Sequence, residues 1–366
     1  MRILFILENY YPNIGGVETL FQNLAESLAQ KGHKITVLTN KFSKSLKSKE
    51  ELNGVSINRL PFYNRYLFTV FAIPHSIKYG IKADIIHTTS YNAGIPAFFG
   101  GLFSRTKTII TFHEVWAKLW FDLPFFGYLS KLLHYSFEKF LLKLPFYKFI
   151  AVSNYTSQSL SKNGIPSDKI EMIYNGISYD QWQSSSDNNN ETQKFTFLYF
   201  GRLGISKGLN ILLEAIYLLS KKRKDFKINL VIPETPINLY KEVHRIIESF
   251  EIKAYIDIMS DLKIEELQNI IRSSDCTIIP SYSEGFCYTA VESMALNTAI
   301  ISSGKGALKE VVSGKHLTMQ KHDAEDLATR MNEAMNGEWD YSELKTFPIN
   351  KSVQAYENLY QTIINH

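Results

Sequence analysis

The chain has 366 residues, 45% of them hydrophobic, which is enough for two independent cores. No apolar run reaches the ~18 residues of a membrane span, and the two cysteines, Cys276 and Cys287, form neither a disulfide nor a metal-binding pattern. The net charge of +4 hides an asymmetry: residues 1–175 carry 20 Lys+Arg against 11 Asp+Glu, and the remainder 20 against 25. A basic first half predicts an anionic partner, such as a membrane surface or a phosphorylated substrate. Nucleic acid is disfavoured, because no recognised nucleic-acid motif accompanies the charge.

In chain order, the first apolar run, Met1 to Leu7, is too short for a signal peptide and meets polar Glu8-Asn9 at once. It predicts a buried strand and a cytoplasmic chain. Further strands are expected at 35–39, 56–60, 85–88, 108–112 and 148–152. Between the first two, apolar positions 17, 20, 21, 24, 25 and 28 predict a helix over 17–31, ended by Gly32 in the C′ position. Asn13-Ile-Gly-Gly-Val-Glu18 joins strand to helix, and its paired glycines let backbone N–H groups approach a phosphate or sugar. It lacks the G-x-G-x-x-G dinucleotide pattern. His113 closes the run Thr111-Phe-His, where it could bond a substrate hydroxyl or serve the core, and His87 carries the same two readings. Residues 119–144 mix Phe, Leu and Tyr with Lys131, His134, Lys139 and Lys143. Leu129, Leu132, Leu133, Phe137, Phe140, Leu141 and Leu144 share a helical face, read first as core-facing and second as a membrane-surface face.

A polar stretch, Ser184 to Gln193, then interrupts the pattern as a linker or exposed loop. Strands resume at 195–200, 229–232, 254–259, 276–279 and 299–302, predicting a second parallel α/β domain. Gly201-Arg202…Lys207-Gly208 sets two cations in a glycine-rich turn before a helix, a fit for a diphosphate without a metal. Glu284-Gly-Phe-Cys-Tyr-Thr-Ala-Val-Glu292 places one carboxylate in a loop and the other about two turns into a helix, at ~1.5 Å per residue. Free N–H groups at that helix start bind anions or polar oxygens. Ligands of such folds sit at the C-terminal ends of the strands.

These pieces in this order resemble glycosyltransferase family 4. The likeness runs through Gly15-Gly16-Val17-Glu18, Asp84-Ile-Ile-His87, Thr111-Phe-His113, Ala151-Val-Ser153, Tyr174-Asn-Gly-Ile177, Gly201-Arg202 with Lys207-Gly208, and Pro280 to Phe286 through Glu292-Ser-Met-Ala295. The resemblance implies a GT-B fold: an acceptor-side Rossmann-like domain at 1–180, a linker at 181–194 and a donor-side Rossmann-like domain at 195–348, the two facing across a cleft. A final helix at 349–366 would return to the first domain. It implies a retaining, metal-independent hexosyltransferase with no cofactor, using a nucleoside diphosphate sugar (UDP- ahead of GDP-) and a hydroxyl acceptor. The setting expected is polysaccharide or glycolipid synthesis at the inner face of a membrane; a non-catalytic nucleotide-sugar-binding protein is the alternative. By the same resemblance Arg202 and Lys207 bind the diphosphate. Glu284 holds the sugar together with Gly285, Phe286, Cys287 and Tyr288, and Glu292 takes the ribose. His113 contacts the sugar near the reacting carbon, and Gly16 lies by the phosphates or acceptor. Cys287 where Gly is common, Ser178 for an Asp, and Leu230-Val-Ile-Pro233 without a Gly-rich turn depart from the pattern.

Overall fold

The computed structural model describes residues 1–13, 15–123, 127–182 and 194–365. The polar stretch 184–193 lies outside the described residues. The chain divides into two compact units: Met1–Asp122, Phe126–Gly176 and Pro348–His366 form the first, and Leu123–Phe125 with Ile177–Phe347 the second.

In the first unit the strands are β1 (Arg2–Leu7), β2 (Lys34–Asn40), β3 (Lys49–Leu52), β4 (Val55–Leu60), β5 (Ile85–Thr89), β6 (Thr108–Phe112), β7 (Lys148–Ala151) and β8 (Ile170–Met172). They form one sheet in the order β3-β4-β2-β1-β5-β6-β7-β8, parallel except for the β3–β4 pair. The central strands are buried almost throughout, as a sheet covered on both faces requires. Helix Gly16–Gln30 turns Leu20, Phe21, Leu24, Ala25 and Leu28 inward, the three-to-four spacing read from the sequence, and Gly32 follows it at φ 86°. The last helix, Ile349–Asn365, buries Val353, Tyr356, Tyr360 and Ile363 in the same core as Phe5, Phe21 and Ile109.

The second unit repeats the plan with β9 (Phe195–Phe200), β10 (Phe226–Val231), β11 (Ile256–Met259), β12 (Cys276–Ile279), β13 (Ala299–Ser302), β14 (Lys315–Thr318) and β15 (Asp340–Tyr341). The order is β11-β10-β9-β12-β13-β14-β15, with only β14–β15 antiparallel among the described residues. Each sheet reverses its strand order once, between β1 and β5 and between β9 and β12. Such reversals open a crevice at the carboxyl ends of the strands, where ligands of α/β sheets bind.

One expectation is corrected. The apolar face of helix Tyr128–Lys143 reaches the core only towards its end: Leu141 is buried and Phe137 and Leu144 pack against the core, whereas Leu129 is 68% and Leu133 62% exposed, and Leu132 and Phe140 are exposed too. The buried side is Glu138, Leu141 and Leu142. Glu138 faces inward because its carboxylate accepts from Trp116 N (2.9 Å), Ala117 N (2.6 Å), Tyr91 OH (3.1 Å) and Trp120 Nε1 (3.3 Å). The four donors offset part of the cost of burying this carboxyl, and burial still holds it above the usual carboxylate range. No helix among the described residues is long and apolar enough to cross a membrane.

Candidate active site

In the second unit the crevice is built from three loops. After β9 the chain passes Gly201 (φ 143°) into a short turn at Ile205–Lys207. Gly208 closes that turn at φ 68°, and a Cβ there would stand 1.9 Å from the Pro280 carbonyl oxygen, so only glycine fits. The loop is thus pressed against the end of β12. Tyr282 N donates to Ser206 O (2.8 Å), stitching the two loops together.

This closeness brings Lys207 to Glu284. Lys207 Nζ donates to Glu284 Oε1 at 2.8 Å, and Ser281 Oγ donates to the same oxygen at 2.7 Å. Burial works against the lysine charge, but the Glu284 carboxylate outweighs it and holds Lys207 above its usual range, while Arg202 pulls the other way. The repulsion from Arg202 says that the two cations of the turn share one field. Arg202 itself is exposed and makes no ion pair among the described residues.

The third loop escaped the sequence reading. After β13, Ser303 Oγ donates to Ser281 O (2.6 Å) and Ala307 N donates to Glu284 O (2.7 Å). Gly306, at φ 64°, lets this segment approach so closely that a Cβ would fall 2.3 Å from Glu284 O. The signal was present as Gly304-Lys-Gly306 at a strand end, the position the other two glycine turns occupy. His322 Nε2 donates to Pro280 O (2.9 Å) and stands edge-on to Tyr282, ring centres 4.6 Å apart. The backbone of Glu284 is therefore held from two sides before any ligand arrives.

Beyond Glu284, Gly285, Phe286 and Cys287 are buried, and Phe286 packs edge-to-face on Tyr288 (5.4 Å) and Phe347 (5.3 Å). Cys287 is the N-cap of helix Tyr288–Ala295 at φ 80°, ψ 85°, a conformation glycine adopts more cheaply. Burial first, and the Glu284 charge second, push its thiol well up. Glu292, half-buried on the same helix, makes no hydrogen bond or ion pair among the described residues, and burial raises it to about 7. The turn cations, the two glutamates and an uncapped helix start thus meet at one switch point. Such a set can neutralise a diphosphate and grip hydroxyls.

Gly16 and His113 belong to the first unit. His113 follows β6, half-buried, its ring 6.3 Å from Phe21 of the helix that Gly16 begins. His87 proves to be a core residue: it is fully buried among Phe5, Phe21, Tyr356 and Tyr360. Its nitrogens lie 2.6 Å from Tyr360 OH and 2.7 Å from Thr111 Oγ1, and burial holds it well below the usual histidine range.

Comparison with known proteins agrees with this geometry. Residues 14–181 match the profile of Glycosyltransferase Family 4 and residues 180–350 that of Glycosyl transferases group 1. The chain is 21% identical over 352 residues to the phosphatidylinositol N-acetylglucosaminyltransferase GPI3 subunit of Saccharomyces cerevisiae, covering 92% of this chain and 75% of that one. Sucrose-phosphate synthase of Thermosynechococcus elongatus superposes with a TM-score of 0.79 at 17% identity, over 100% of both chains. Anabaena HepE, solved with UDP and glucose, gives 0.72 at 16% identity, over 100% of this chain and 95% of that one. Two adjoining profiles span nearly the whole sequence, so the chain belongs to glycosyltransferase family 4 and is a glycosyltransferase of the GT-B fold.

Proposed function

We propose that this glycosyltransferase moves a sugar from a UDP-sugar to an acceptor hydroxyl, with retention at the anomeric carbon and without a metal. One observation carries the reading: the Lys207–Glu284 pair, beside Arg202, at the second unit's switch point. Breaking the anomeric bond builds negative charge on the diphosphate and positive charge on the sugar ring. Lys207 is already charged and fixed, so an arriving diphosphate can take over its Nζ and leave Glu284 free for sugar hydroxyls. Arg202 and the N–H groups at the start of helix Tyr288–Ala295 add to the stabilisation of the leaving group. Glu284 and Glu292 lie on one segment and could not flank a bond from opposite sides, which disfavours a two-carboxylate scheme. A front-face path, with the departing phosphate taking the acceptor proton, is the mechanism adopted. His113 is assigned the sugar contact near the reacting carbon that the family resemblance implies, and Glu292 the ribose.

UDP is favoured because HepE was solved with UDP and glucose. A lipid-linked acceptor is favoured by the basic first half, by the exposed Leu129, Leu132 and Leu133 beside Lys131, and by the phosphatidylinositol named for the yeast relative. Thermal melting with UDP-, GDP- and ADP-sugars tests the donor, because a bound ligand raises apparent stability by mass action. The expected result is a shift with a UDP-sugar and product formation with a lipid-linked glycan. A shift without transfer to any acceptor mixture would instead mark a binding protein. Sedimentation with vesicles that contain or lack anionic lipid tests the membrane part, and equal recovery with both would remove it.

A further inference from the structure

The first unit buries a carboxyl group that the proposed transfer does not use. Glu138, on helix Tyr128–Lys143, has no exposed surface, and burial holds it above the usual carboxylate range despite its four donors. Apolar residues of similar volume often replace a buried ionisable group without loss of stability, so what Glu138 holds matters more than how it packs.

It holds two loops at once. The chain leaving β6 runs from His113 to Trp116 and enters the short turn Ala117–Phe121, whose N-cap, Trp116, offers no side chain to the first N–H groups. Glu138, from another helix, takes that role: Oε1 accepts from Trp116 N and Oε2 from Ala117 N. The chain leaving β5 adds Tyr91, whose hydroxyl donates to Oε1. Tyr91 and Ala117 both stand in the left-handed region, at φ 72° and φ 43°, which a residue with a Cβ adopts at a cost. Such backbone persists where its surroundings fix it, and here one carboxyl group bonds to both residues.

His113 rides on the segment so held. The segment is pinned before His113 by β6, where Phe112 pairs with Ala151, then by buried Val115, and finally by Glu138. Resting on the glycosyltransferase reading and its assignment of His113 to the sugar, we infer that Glu138 is a positioning residue for transfer. It touches no substrate. It fixes the loop after β6 from behind, so that the His113 imidazole keeps one place. A displacement of ~1 Å at a reacting contact can cost about 10²-fold in rate, so a loosened loop shows in turnover before it shows in donor binding.

The test is a cycle of Glu138→Gln, His113→Ala and the double variant in the full chain. Glutamine keeps the size of the side chain but accepts at one oxygen where the carboxylate accepts at two. Turnover is read as release of UDP from UDP-glucose, UDP-galactose and UDP-N-acetylglucosamine, with n-octyl β-D-glucopyranoside as the hydroxyl acceptor. Expected for Glu138→Gln are a loss of about tenfold in kcat, a donor KM within about twofold of wild type, and a loss below about twofold once His113 is already alanine. In NMR of the histidine rings, the signal that disappears in His113→Ala should shift in Glu138→Gln, while that of His244 in the second unit stays. Equal losses in both backgrounds overturn the inference and leave Glu138 a purely structural residue, as does an unmoved His113 signal. Wild-type turnover in His113→Ala removes the sugar contact of His113, and this role with it, but leaves the glycosyltransferase reading standing. A wild type that releases UDP from none of the three donors sinks the UDP-sugar reading itself, and with it the work given to both residues. If Glu138→Gln does not fold, Tyr91→Phe removes one of the four donors and serves the same cycle, with a smaller loss in the same direction.

Discussion

The two sheets reverse strand order at equivalent points, and the turns found there carry opposite chemistry. In the second unit a carboxylate is paired with a cation: one oxygen of Glu284 takes both Lys207 and Ser281. In the first, Glu18 keeps one oxygen unmet. Their surroundings invert the overall charge as well. The fixed cations lie in the acidic part of the chain and the bare carboxylate in the basic part. The lesson is that net charge reports what a whole surface attracts, whereas a site is set by a few groups that the backbone forces together. A glycine that admits a carbonyl where no Cβ would fit, as Gly208 does, decides more than a surplus of nine positive charges.

The sharpest way to break this contrast is at the paired end. Lys207→Ala should cost about 10²–10³-fold in transfer, the scale of losing one fixed donor to a developing charge, while circular dichroism stays native. Turnover near wild type would remove the diphosphate assignment. Next in size is Glu138→Ala, which strands four donors in the first unit, two of them backbone N–H groups next to the His113 segment. A loss of about 3 kcal/mol in chemical denaturation is expected, with Glu138→Gln roughly half as costly. Equal stability for both would show that the carboxylate holds nothing.

Smallest is the pH effect of Glu292. Burial lifts it from an ordinary 4.5 to about 7, so the folded state holds this proton more tightly than the unfolded chain. The stability it supplies is complete below about 4.5 and is lost as pH rises through about 7. Melting curves at pH 5 and pH 8 should therefore separate wild type from Glu292→Gln only at the higher pH, with the variant a few degrees more stable. Nucleotide affinity should move the opposite way in the wild type, rising from pH 6 to pH 8, because ribose hydroxyls donate best to an ionised carboxylate. A flat profile in both measurements would take Glu292 out of the site.

Much of the architecture was legible because buried parallel strands announce themselves as short apolar runs. The runs at 108–112, 195–200 and 276–279 are strands to the residue. The short strands β3, β8, β14 and β15, at or next to the sheet edges, were not seen: Lys49–Leu52 and Asp340–Tyr341 are polar and exposed or half-exposed, with no pattern to detect. At the site, residue types and spacing pointed to the two loops that meet. Contacts between distant segments could not be read: Lys207 and Glu284 are 77 residues apart, and nothing local says that a lysine in one turn will neutralise a glutamate in another. Glu138 was missed for a related reason. A lone acid on a lysine-rich helix looks solvated until its four donors are located, while Leu129, Leu132 and Leu133 of the same helix turn out to face water.

The placing of Tyr356 and Tyr360 against His87 bears on how the chain is made. A ribosome delivers β1 to β8 first, but the core they share with the final helix is incomplete until residue 360 emerges. The second unit, contiguous from Ile177 to Phe347, can mature on the way out, since domains fold as units during synthesis. The half that begins the sequence is therefore the half that finishes folding last. Termination between Phe347 and the closing tyrosines should leave an intact second unit tethered to an unfinished first.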